Sequence, residues 1–450
     1  MTIFFGLGAN EGNRNANLQH AVEQLKSNGF EISAISPIVE TPALLPKDAE
    51  PSWNKPFLNC VISGQASWQP SQGLKIVKQI EANLGRGHIS KTGAKTWAPR
   101  TIDIDLLIWH DKIVDSRKLT LPHYAITERA FVLTPLLHLQ PDLIIPGQNQ
   151  TVFDLCRRVR PSPLWMGILN ITPDSFSDGQ IPVPDSICTS AVPGGRAWDN
   201  GGGDDEALSG QIDAMIEENV QIIDVGAEST RPHATAIDAD EEWHRLQPVL
   251  NLINQRLDGL SIKPIISIDS RHAATLEKAL RHGVGMINDV TGFRDPAIRE
   301  MAKASGCQVV AMHSMSIPAD AKIVLPASDT AVNQLRDWLH RNIDRWLDDG
   351  LDLNKIIFDP GIGFGKNSLQ SFELLQHCNE LKDAGLRLLI GHSRKSFMSG
   401  FTDRKFDQRD LETLGISLAL CQQGVEIIRV HDPVMHIRAY RGWSHISRMD

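Results

Sequence analysis

The chain after residue 163 repeats one pattern, in which a short apolar run rich in β-branched residues precedes a segment with helical spacing. The eight runs are LWMGILNI, VQIIDVGA, KPIISIDS, GMINDVTG, QVVAMHS, KIIFDPGIG, LRLLIGHS and EIIRVHD. Strands that are buried on both faces have this continuous apolar character, and a set of this size is typical of a (β/α)8 barrel. We therefore predict an α/β (β/α)8 TIM barrel over residues 164–450, with a doubly wound open sheet as the competing fold.

Polar residues close these runs, and their distribution favours the barrel. They are Asn170, Asp224, Asp269, Asn288, Asp289, His313, Asp359, Ser393 to Lys395, Arg429 and His431. In a barrel the carboxyl ends of all strands converge on one mouth, whereas an open sheet gathers such residues at a single switch point. A carboxylate such as Asp359 could accept two adjacent N–H groups of a flat heterocycle, with cations beside it for a phosphate. Each residue alone could instead belong to a buried ion pair of the barrel interior.

The chain before residue 158 alternates strand and helix in the order βαββαβ. The strands are IFFGLG, FEISAIS, FLNCVISGQA and TIDIDLLIW. Leu18, Val22 and Leu25 mark the first helix, and Leu74, Val77, Ile80 and Leu84 mark the second, which Ser71 would cap. This order predicts an α+β ferredoxin-like domain with helices on one face of the sheet.

Chain length and helix-breaking residues indicate where the boundary between these two patterns lies. A chain of 450 residues is too long for one ordinary hydrophobic core. The segment VRPSP at 159–163 would end a helix, so we predict a first domain at 1–158, a linker at 159–163 and a second domain at 164–450. Residues 180–210 are rich in glycine and aspartate and predict a mobile loop inside the second domain.

Composition excludes several classes of function. The net charge of −9 gives no general affinity for nucleic acid, so anionic substrates would need local basic sites. Six cysteines are scattered without any CxxC pair, which favours neither a disulfide framework nor a thiolate zinc site and fits a reducing cytoplasm. No apolar stretch approaches the roughly 20 residues of a membrane span, and the amino terminus lacks a basic leader. We therefore expect a cytoplasmic protein that binds neither membranes nor nucleic acid.

The segment TIDIDLLIW carries a candidate metal site. Asp103 and Asp105 are two residues apart, so on a strand both carboxylates point to one face while Ile102, Ile104 and Leu106 fill the other. Two acids on a rigid strand suit Mg²⁺ bridging an ATP polyphosphate, and a solvated strand face is the alternative. Cationic and aromatic residues precede the strand and could form a loop that closes over phosphates: Arg86, His88, Lys91, Lys95, Trp97 and Arg100.

The motifs GLGAN, ETPALL, FLN, LGRG, WAPRTIDIDLL and LTLPHY, in this order over residues 1–158, resemble 6-hydroxymethyl-7,8-dihydropterin pyrophosphokinase. The resemblance implies that Asp103 and Asp105 bind two Mg²⁺ and that Trp97 lies in the closing loop. It implies an ATP site formed by Arg86, Arg100, Lys118, Thr120, His123 and Tyr124. It implies a pterin site formed by Thr41, Pro42, Leu44, Phe57, Asn59 and Phe131. His88 departs from the family, where a second arginine is common, and the loop at 87–96 is a few residues longer.

The motifs MGILNITPDSFSDG, IIDVGAESTRP, ISIDS, INDVTG, FDPGIGFGK, GHSRKS and IIRVHD resemble dihydropteroate synthase from residue 164 to about 440. The resemblance implies that the pterin is held by Asp269, Asn288, Asp359 and Lys395, and that Asn170 contributes to binding one Mg²⁺. It implies that the diphosphate is held by Arg231, Arg429 and His431. It implies that p-aminobenzoate is enclosed by Asp174, Phe176, Asp178, Ser229, Thr230 and Pro232, with Ser396 near its carboxylate. His392 departs from the family, where an apolar residue is expected, and the tract at 180–210 is longer.

Together the two resemblances imply a bifunctional folate-biosynthesis enzyme. The first domain would transfer diphosphate from ATP to the hydroxymethylpterin, and the second would condense that product with p-aminobenzoate. No side-chain nucleophile is needed, because cations draw charge onto the departing diphosphate while the aniline nitrogen attacks the pterin methylene. Two alternatives remain open: only one domain is active, or the barrel is a pterin-dependent methyltransferase. The resemblance also implies a homodimer formed through the barrel.

Overall fold

In the computed structural model, the described residues are 2–46, 49–85, 98–159, 161–171, 204–228, 236–320 and 322–447. They form two compact units. The first comprises Met1–Pro163, Gly259–Lys263 and Arg438–Asp450, and the second comprises Leu164–Asp258 and Pro264–Ile437. None of the helices within the described ranges combines the length and the apolar character that crossing a membrane requires.

The first unit is built on an antiparallel sheet. Its elements are β1 (Ile3–Ala9), α1 (Arg14–Ser27), β2 (Glu31–Ile35), β3 (Val39–Thr41), β4 (Phe57–Gln65), α2 (Pro70–Asn83), β5 (Asp103–Trp109), β6 (Val114–Asp115), β7 (Thr120–Leu121), α3 (Ala130–Leu139) and α4 (Val152–Val159). The strand order is β2-β4-β1-β5, with β3 paired to the end of β4. This arrangement confirms the ferredoxin-like fold that the βαββαβ order predicts.

Both faces of this sheet are covered, which the sequence analysis did not anticipate. On one face, Leu18, Leu25 and Val77 of α1 and α2 pack against Phe5 and Ile104 of the strands, as predicted. On the other face, α3 and α4 form a second core with strand residues from β1, β4 and β5. The prediction of helices on one face only was therefore wrong, because the strands alternate apolar side chains toward both sides along part of their length.

The predicted cap of α2 was also wrong. Its N-cap is Gln69, with Pro70 at the first helical position, so Ser71 lies inside the helix. The backbone N–H of Gln69 donates to Gln72 Oε1 at 2.9 Å. Proline is favoured at the first helical position because it has no N–H to satisfy there, and this preference sets the helix start one residue before the serine.

The second unit is a closed barrel of parallel strands. Its elements are β8 (Leu164–Asn170), α5 (Asp204–Glu217), β9 (Ile222–Gly226), α6 (Ala239–Arg256), β10 (Ile265–Asp269), α7 (Ala273–Arg281), β11 (Met286–Asp289), α8 (Pro296–Ser305), β12 (Gln308–Met312), α9 (Ala331–Asp348), β13 (Ile356–Asp359), α10 (Ser368–Gln376), α11 (Cys378–Lys382), β14 (Arg387–Gly391), α12 (Asp410–Gln422) and β15 (Ile427–Val430). The last helix, α13 (Pro433–Ile446), begins in this unit, and its residues from Arg438 belong to the first unit. Each apolar run of the sequence supplies one strand, and β15 pairs with β8 to close the barrel. The predicted TIM barrel is confirmed over the open sheet.

Truncation of Leu18 should destabilise the first unit. The side chain is fully buried in the core beneath α1. Leu18→Ala removes buried methyl groups and leaves a cavity, so we expect a loss of about 2 to 5 kcal/mol in the free energy of opening. Hydrogen exchange of the β1 and α1 amides measures it within this unit. His20→Ala, on the exposed side of the same helix, is the control, and equal exchange rates in both variants would contradict the assigned core.

Candidate functional site

The acid pair of the first unit lies on one face of β5, as the alternation predicts. Asp103 and Asp105 are half-buried, whereas Ile104 and Leu106 between and after them belong to the core under α1 and α2. Gly8 of β1 pairs with Asp103 on one side and with Asn59 of β4 on the other. The acids and the predicted pterin residue Asn59 therefore occupy one face across three adjacent strands.

Gly6 and Gly8 have no side chains on this face of β1, and the strip that they form between the acids and Asn59 is called here the groove. A Cβ atom at Gly8 would lie 3.1 Å from Asn59 Oδ1 and 3.5 Å from Phe57 Cδ1. Gly6, on the same face, pairs with Asp105, and a Cβ atom there would lie 3.3 Å from Leu107 Cδ1. Neither glycine was predicted to have a function, although both lie in the GLGAN motif and their spacing of two was the available signal.

Each acid of the pair lies near an arginine, and the two carboxylates also act on each other. Arg100 Nη1 lies 2.8 Å from Asp103 Oδ2, and Arg129 Nη1 lies 3.9 Å from Asp105 Oδ2. Burial and the charge of Asp103 raise the pKa of Asp105 to about 6, against the opposing effect of Arg129. Two partly exposed carboxylates with this mutual repulsion fit a divalent cation whose other ligands come from a substrate. Within the described ranges, no group of three or more His, Cys, Asp or Glu residues could hold a metal.

Arg129 is a site residue that the sequence analysis missed. Its guanidinium carbon lies 5.4 Å from the ring centroids of both Tyr124 and Phe131, and its Nη2 donates to Tyr124 Oη at 3.1 Å. Burial and the charge of Arg129 lower the pKa of His123 to about 4, so this imidazole is neutral. Arg129 thus lies between the acid pair and three predicted nucleotide and pterin residues, His123, Tyr124 and Phe131. This arrangement depends on the turn before α3, which no sequence pattern predicts.

The predicted pterin residues of the first unit lie mostly together. Asn59 Nδ2 donates to Thr41 Oγ1 at 2.9 Å, and both residues are buried. Phe57 and Phe131 are half-buried on the same face of the sheet, whereas the Leu44 side chain is 58% exposed. Of the predicted ATP residues, Lys118, Thr120 and Tyr124 are exposed. The predicted loop residues Arg86, His88, Lys91, Lys95 and Trp97 lie outside the described residues.

Asn10 holds Arg100 in place beside the acids. The backbone N–H of Arg100 donates to Asn10 Oδ1 at 2.8 Å, and the backbone N–H of Asn10 donates to Arg100 O at 3.2 Å. Asn10 is buried at the end of β1. These two hydrogen bonds fix the backbone of Arg100, which carries the guanidinium to Asp103.

The barrel places its polar residues in a layer at the carboxyl ends of the strands. Asn170, Gly226, Asp269 and Asn288 are register neighbours on β8, β9, β10 and β11. A Cβ atom at Gly226 would lie 3.3 Å from Asp269 Cβ and 3.4 Å from Asn170 Oδ1. Because Gly226 has no side chain, the asparagine and the aspartate approach each other across it, and the predicted metal and pterin residues share one layer.

Arg429 lies at the centre of this layer. Its Nε donates to Asp224 Oδ2 at 2.6 Å and its Nη2 donates to Asp269 Oδ2 at 2.8 Å. Asp224 is fully buried and also accepts from Asn288 Nδ2 at 3.1 Å and from Ser267 Oγ at 2.6 Å. Burial raises the pKa of Asp269 above its ordinary value, with Asp224 adding to the rise and Arg429 opposing it. The run-end residue Asp224, to which the sequence assigned no role, therefore holds both Arg429 and Asn288.

Lys395 and Asp359 face each other on the opposite part of the mouth. Lys395 Nζ donates to Ile362 O at 2.6 Å and lies 4.8 Å from the ring centroid of Phe364. Burial lowers the pKa of Lys395 to about 8, with Arg429 adding to the fall and Asp359 and Asp269 opposing it. Asp359 Oδ1 accepts from the backbone N–H of Gly361 at 2.7 Å.

The segment after β14 is held from α12. His392 Nε2 lies 3.1 Å from both Thr413 O and Ser417 Oγ, which gives the unexpected histidine polar partners in a buried position. Arg394 adopts a left-handed conformation with φ 59° and makes two hydrogen bonds to Asp410, at 2.7 and 2.9 Å. This bend places Ser393 Oγ 2.8 Å from His431 Nδ1.

The remaining predicted residues of the barrel divide into two groups. Ser396 is exposed at the start of a short 3-10 helix that follows Lys395. The predicted loop residues lie outside the described residues: Asp174, Phe176, Asp178, Ser229, Thr230, Arg231 and Pro232. The structure thus brings together Asn170, Asp269, Asn288 and Arg429 as one connected group, with Asp359 and Lys395 as a second.

These two sites define a class of protein: a two-part transferase that combines a ferredoxin-like unit bearing paired acids with a TIM barrel whose mouth mixes carboxylates, amides and cations. Residues 4–141 match the model of the 7,8-dihydro-6-hydroxymethylpterin-pyrophosphokinase family, and residues 199–431 match the model of the pterin binding enzyme family. The folate synthesis bifunctional protein of Chlamydia caviae is 32% identical over 448 residues, covering 96% of this chain and 95% of that protein. The chain belongs to this family of bifunctional folate synthesis proteins.

Solved structures agree for the barrel. Dihydropteroate synthase from Xanthomonas albilineans with 4-aminobenzoic acid is 28% identical, with a TM-score of 0.53, and the match covers 64% of this chain and 93% of that one. The enzyme from Anaplasma phagocytophilum with bound 6-hydroxymethylpterin-monophosphate is 30% identical, with a TM-score of 0.53, and the match covers 63% of this chain and 99% of that one. The chain therefore combines a pyrophosphokinase with a dihydropteroate synthase, and the predicted function is confirmed over the methyltransferase alternative.

Side chains added at Gly8 should block the groove of the first unit. Gly8→Ala places a methyl group against Asn59 and Phe57, and Gly8→Val adds two further carbons in the same space. We expect the pyrophosphokinase kcat/KM for the pterin to fall in the order wild type, alanine, valine, by roughly 100-fold at valine, because misplaced reacting groups lose about this much rate. The synthase activity of the same chain is the internal control. A valine variant with wild-type kcat/KM would show that substrate does not cross Gly8.

Proposed function

We propose that the pyrophosphokinase reaction takes place in the groove over Gly6 and Gly8, with the nucleotide at the Asp103 end and the pterin at the Asn59 end. The observation that carries the proposal is the register that places Asp103, Gly8 and Asn59 side by side on three strands. Asn59 and Thr41 would hydrogen-bond the polar edge of the pterin, and Phe57 and Phe131 would contact its flat faces. Pro42 and Leu44 would border the same ring.

Two Mg²⁺ ions would be held by Asp103 and Asp105 together with the ATP phosphates. When bound, they supply positive charge to the polyphosphate and lower the activation free energy of diphosphate transfer.

Arg100, fixed by Asn10, would bind the phosphates together with Arg86. Trp97 would lie in the loop that excludes water, and Lys118, Thr120, His123 and Tyr124 would line the nucleotide. Because the pKa of His123 is lowered to about 4, its neutral ring would act as a hydrogen-bonding group, not as a cation.

In the synthase, the pterin would be held by Asp269, Asn288, Asp359 and Lys395. The carboxylates would accept hydrogen bonds from the amino-pyrimidinone edge, and the Lys395 ammonium would bind the carbonyl side. Arg429 orients Asp269 through its ion pair, so it would position the pterin as well as contribute charge. Burial of these groups is consistent with a site that is ordered before substrate binds.

The diphosphate would be held by Arg231, Arg429 and His431, and one Mg²⁺ would be held with the help of Asn170. Hydrogen bonding of His431 to Ser393 would orient its ring toward the leaving group. The loop residues Asp174, Phe176, Asp178, Ser229, Thr230 and Pro232 would enclose p-aminobenzoate, and Ser396 would lie near its carboxylate. The X. albilineans enzyme with 4-aminobenzoic acid supports this choice of second substrate.

Cellular location and assembly belong to the same proposal. The five described cysteines are buried thiols, which supports a role in the reducing cytoplasm. Pairing of two copies through the barrel is proposed on family resemblance alone, and sedimentation of the purified chain measures it directly.

Reciprocal substitutions should separate the two activities. With ATP, Mg²⁺, hydroxymethyl-dihydropterin and p-aminobenzoate, the chain should form AMP and dihydropteroate together. Asp103→Asn should lower AMP formation by at least roughly 100-fold, because it removes a charge that the metal-bound phosphates need, yet should spare turnover of pre-made pterin diphosphate. Lys395→Met should do the reverse. Asp111→Asn, an exposed change just after β5, is the control; loss of both activities in either site variant would contradict two independent sites.

The synthase should lose activity as the pH rises through about 8. Lys395 is a cation below its pKa, which burial lowers to about 8, and loses its proton above it. The kcat/KM for pterin diphosphate reports groups of the free enzyme, so its profile should fall on the alkaline side near this value. Lys395→Arg keeps the cation at higher pH and should displace the falling limb upward. If the falling limb stays at the same pH in the arginine variant, the limb reports the titration of another group.

A further inference from the structure

Lys366 is a buried lysine at the mouth of the barrel to which neither the sequence nor the proposed mechanism assigns a role. Only 6% of the residue is exposed. Its Nζ lies 2.7 Å from His313 Nδ1, and it donates to His313 O at 2.9 Å and to Phe364 O at 3.0 Å. One side chain therefore joins the end of β12 to the segment that follows β13.

The segment that Lys366 holds, residues 360–366, is called here the glycine loop. Gly361, Gly363 and Gly365 all adopt left-handed backbone conformations, with φ of 65°, 82° and 76°. A Cβ atom at Gly361 would lie 2.0 Å from His313 O, and one at Gly365 would lie 2.3 Å from Met315 Cβ. The glycines allow the loop to approach β12 closely, but they contribute no side chains to hold it there.

The glycine loop in turn contacts Lys395. The Lys395 ammonium donates to Ile362 O at 2.6 Å and lies 4.8 Å from the Phe364 ring centroid. The Phe364 carbonyl is the acceptor for Lys366. Displacement of the loop would therefore move both groups that Lys395 contacts, as well as Gly361, whose N–H binds Asp359.

His313 gives Lys366 a fixed point of attachment. The residue is buried, its backbone N–H donates to Asp359 O at 2.9 Å, and the Trp338 ring contacts its ring at 5.3 Å between centroids. Burial lowers the pKa of Lys366 well below its ordinary value, with Asp359 opposing. The amine thus has three polar contacts, two to carbonyl oxygens and one to the His313 ring, all within 3.0 Å.

We propose that Lys366 is a positioning residue of the synthase, which holds the glycine loop against His313 and thereby sets the place of Lys395 at the pterin. The proposal rests on the role of Lys395 given above. Lys366 acts through Ile362 and Phe364 and need not touch substrate.

The test is Lys366→Met in the full chain, with pre-made pterin diphosphate and p-aminobenzoate as substrates. We expect kcat/KM for pterin diphosphate to fall roughly 100-fold, the loss that a small misplacement of a reacting group produces. The KM for p-aminobenzoate should change less than about twofold, because the loop acts on the pterin side. The alkaline limb of the pH profile should move to lower pH, because Lys395 loses the carbonyl and ring that stabilise its charge.

Lys382→Met is the matched control. Lys382 is also a buried lysine of the barrel, paired with Glu426 at 2.6 Å and donating to Gly424 O at 2.7 Å just before β15, at the end of the barrel away from the mouth. It should lower stability yet leave kcat/KM and the pH limb unchanged in the folded fraction. The pyrophosphokinase activity of each variant measures the amount of intact first unit. If Lys366→Met does not fold, Lys366→Gln is measured in the same way.

Three outcomes would overturn the proposal. In the first, the Lys366 variant keeps wild-type kcat/KM and an unchanged alkaline pH limb, whereas Lys395→Met is inactive. This result would contradict the positioning role of Lys366 but not the role of Lys395. Equal losses in the Lys366 and Lys382 variants would show that Lys366 serves stability only. Full synthase activity in Lys395→Met would remove the role of Lys395 itself, and with it the basis of the inference.

Discussion

The ion pairs of Arg429 with Asp224 and Asp269 determine how the mouth of the barrel is organised. A guanidinium at the end of β15 binds two carboxylates from β9 and β10 and offsets part of the repulsion between them. Removing one partner of such a group leaves an uncompensated buried charge, so the three positions depend on one another. Asn288 joins the same group through Asp224. Asp269 and Asn288 are thus held by contacts among the protein's own side chains, which is the form of preorganisation that electrostatic catalysis requires.

The two units solve the same recognition problem with different means. Both handle a pterin and a diphosphate, and the sites we propose for them lie on a strip of glycines in an antiparallel sheet in the first and at the converging ends of parallel strands in the second. In the first, two partly exposed carboxylates each lie near an arginine of their own. In the second, two more deeply buried carboxylates share one arginine. Burial separates the two cases, because a charge that is removed from solvent must be compensated inside the protein.

Much of the placement of the candidate site residues could be predicted from the sequence, and the part that could not has a physical reason. Asp103 and Asp105 were predictable because strand alternation fixes their common face, and Asp269, Asn288 and Asp359 because each follows an apolar run. Arg129, Asp224 and Lys366 were missed as site residues. Arg129 lies in a turn and Lys366 lies at the end of the glycine loop. Neither segment has the regular spacing of apolar residues from which buried positions are predicted. Asp224 was recognised as the end of a run, but its partner Arg429 lies 205 residues away.

The sequence by itself determined the class of each fold, since the polar ends of the eight apolar runs favour a barrel over an open sheet and the βαββαβ order favours a ferredoxin-like sheet. It also determined which polar residues stand at the strand ends. Only the tertiary structure decided which of them meet. Closure of the barrel by β15 against β8 brings Arg429 to Asp224 and Asp269, and the pairing of β1 with β4 and β5 places Gly8 between Asn59 and Asp103. Such contacts join residues far apart in the chain, and their partners are chosen by strand register and side-chain packing, which local sequence patterns do not encode.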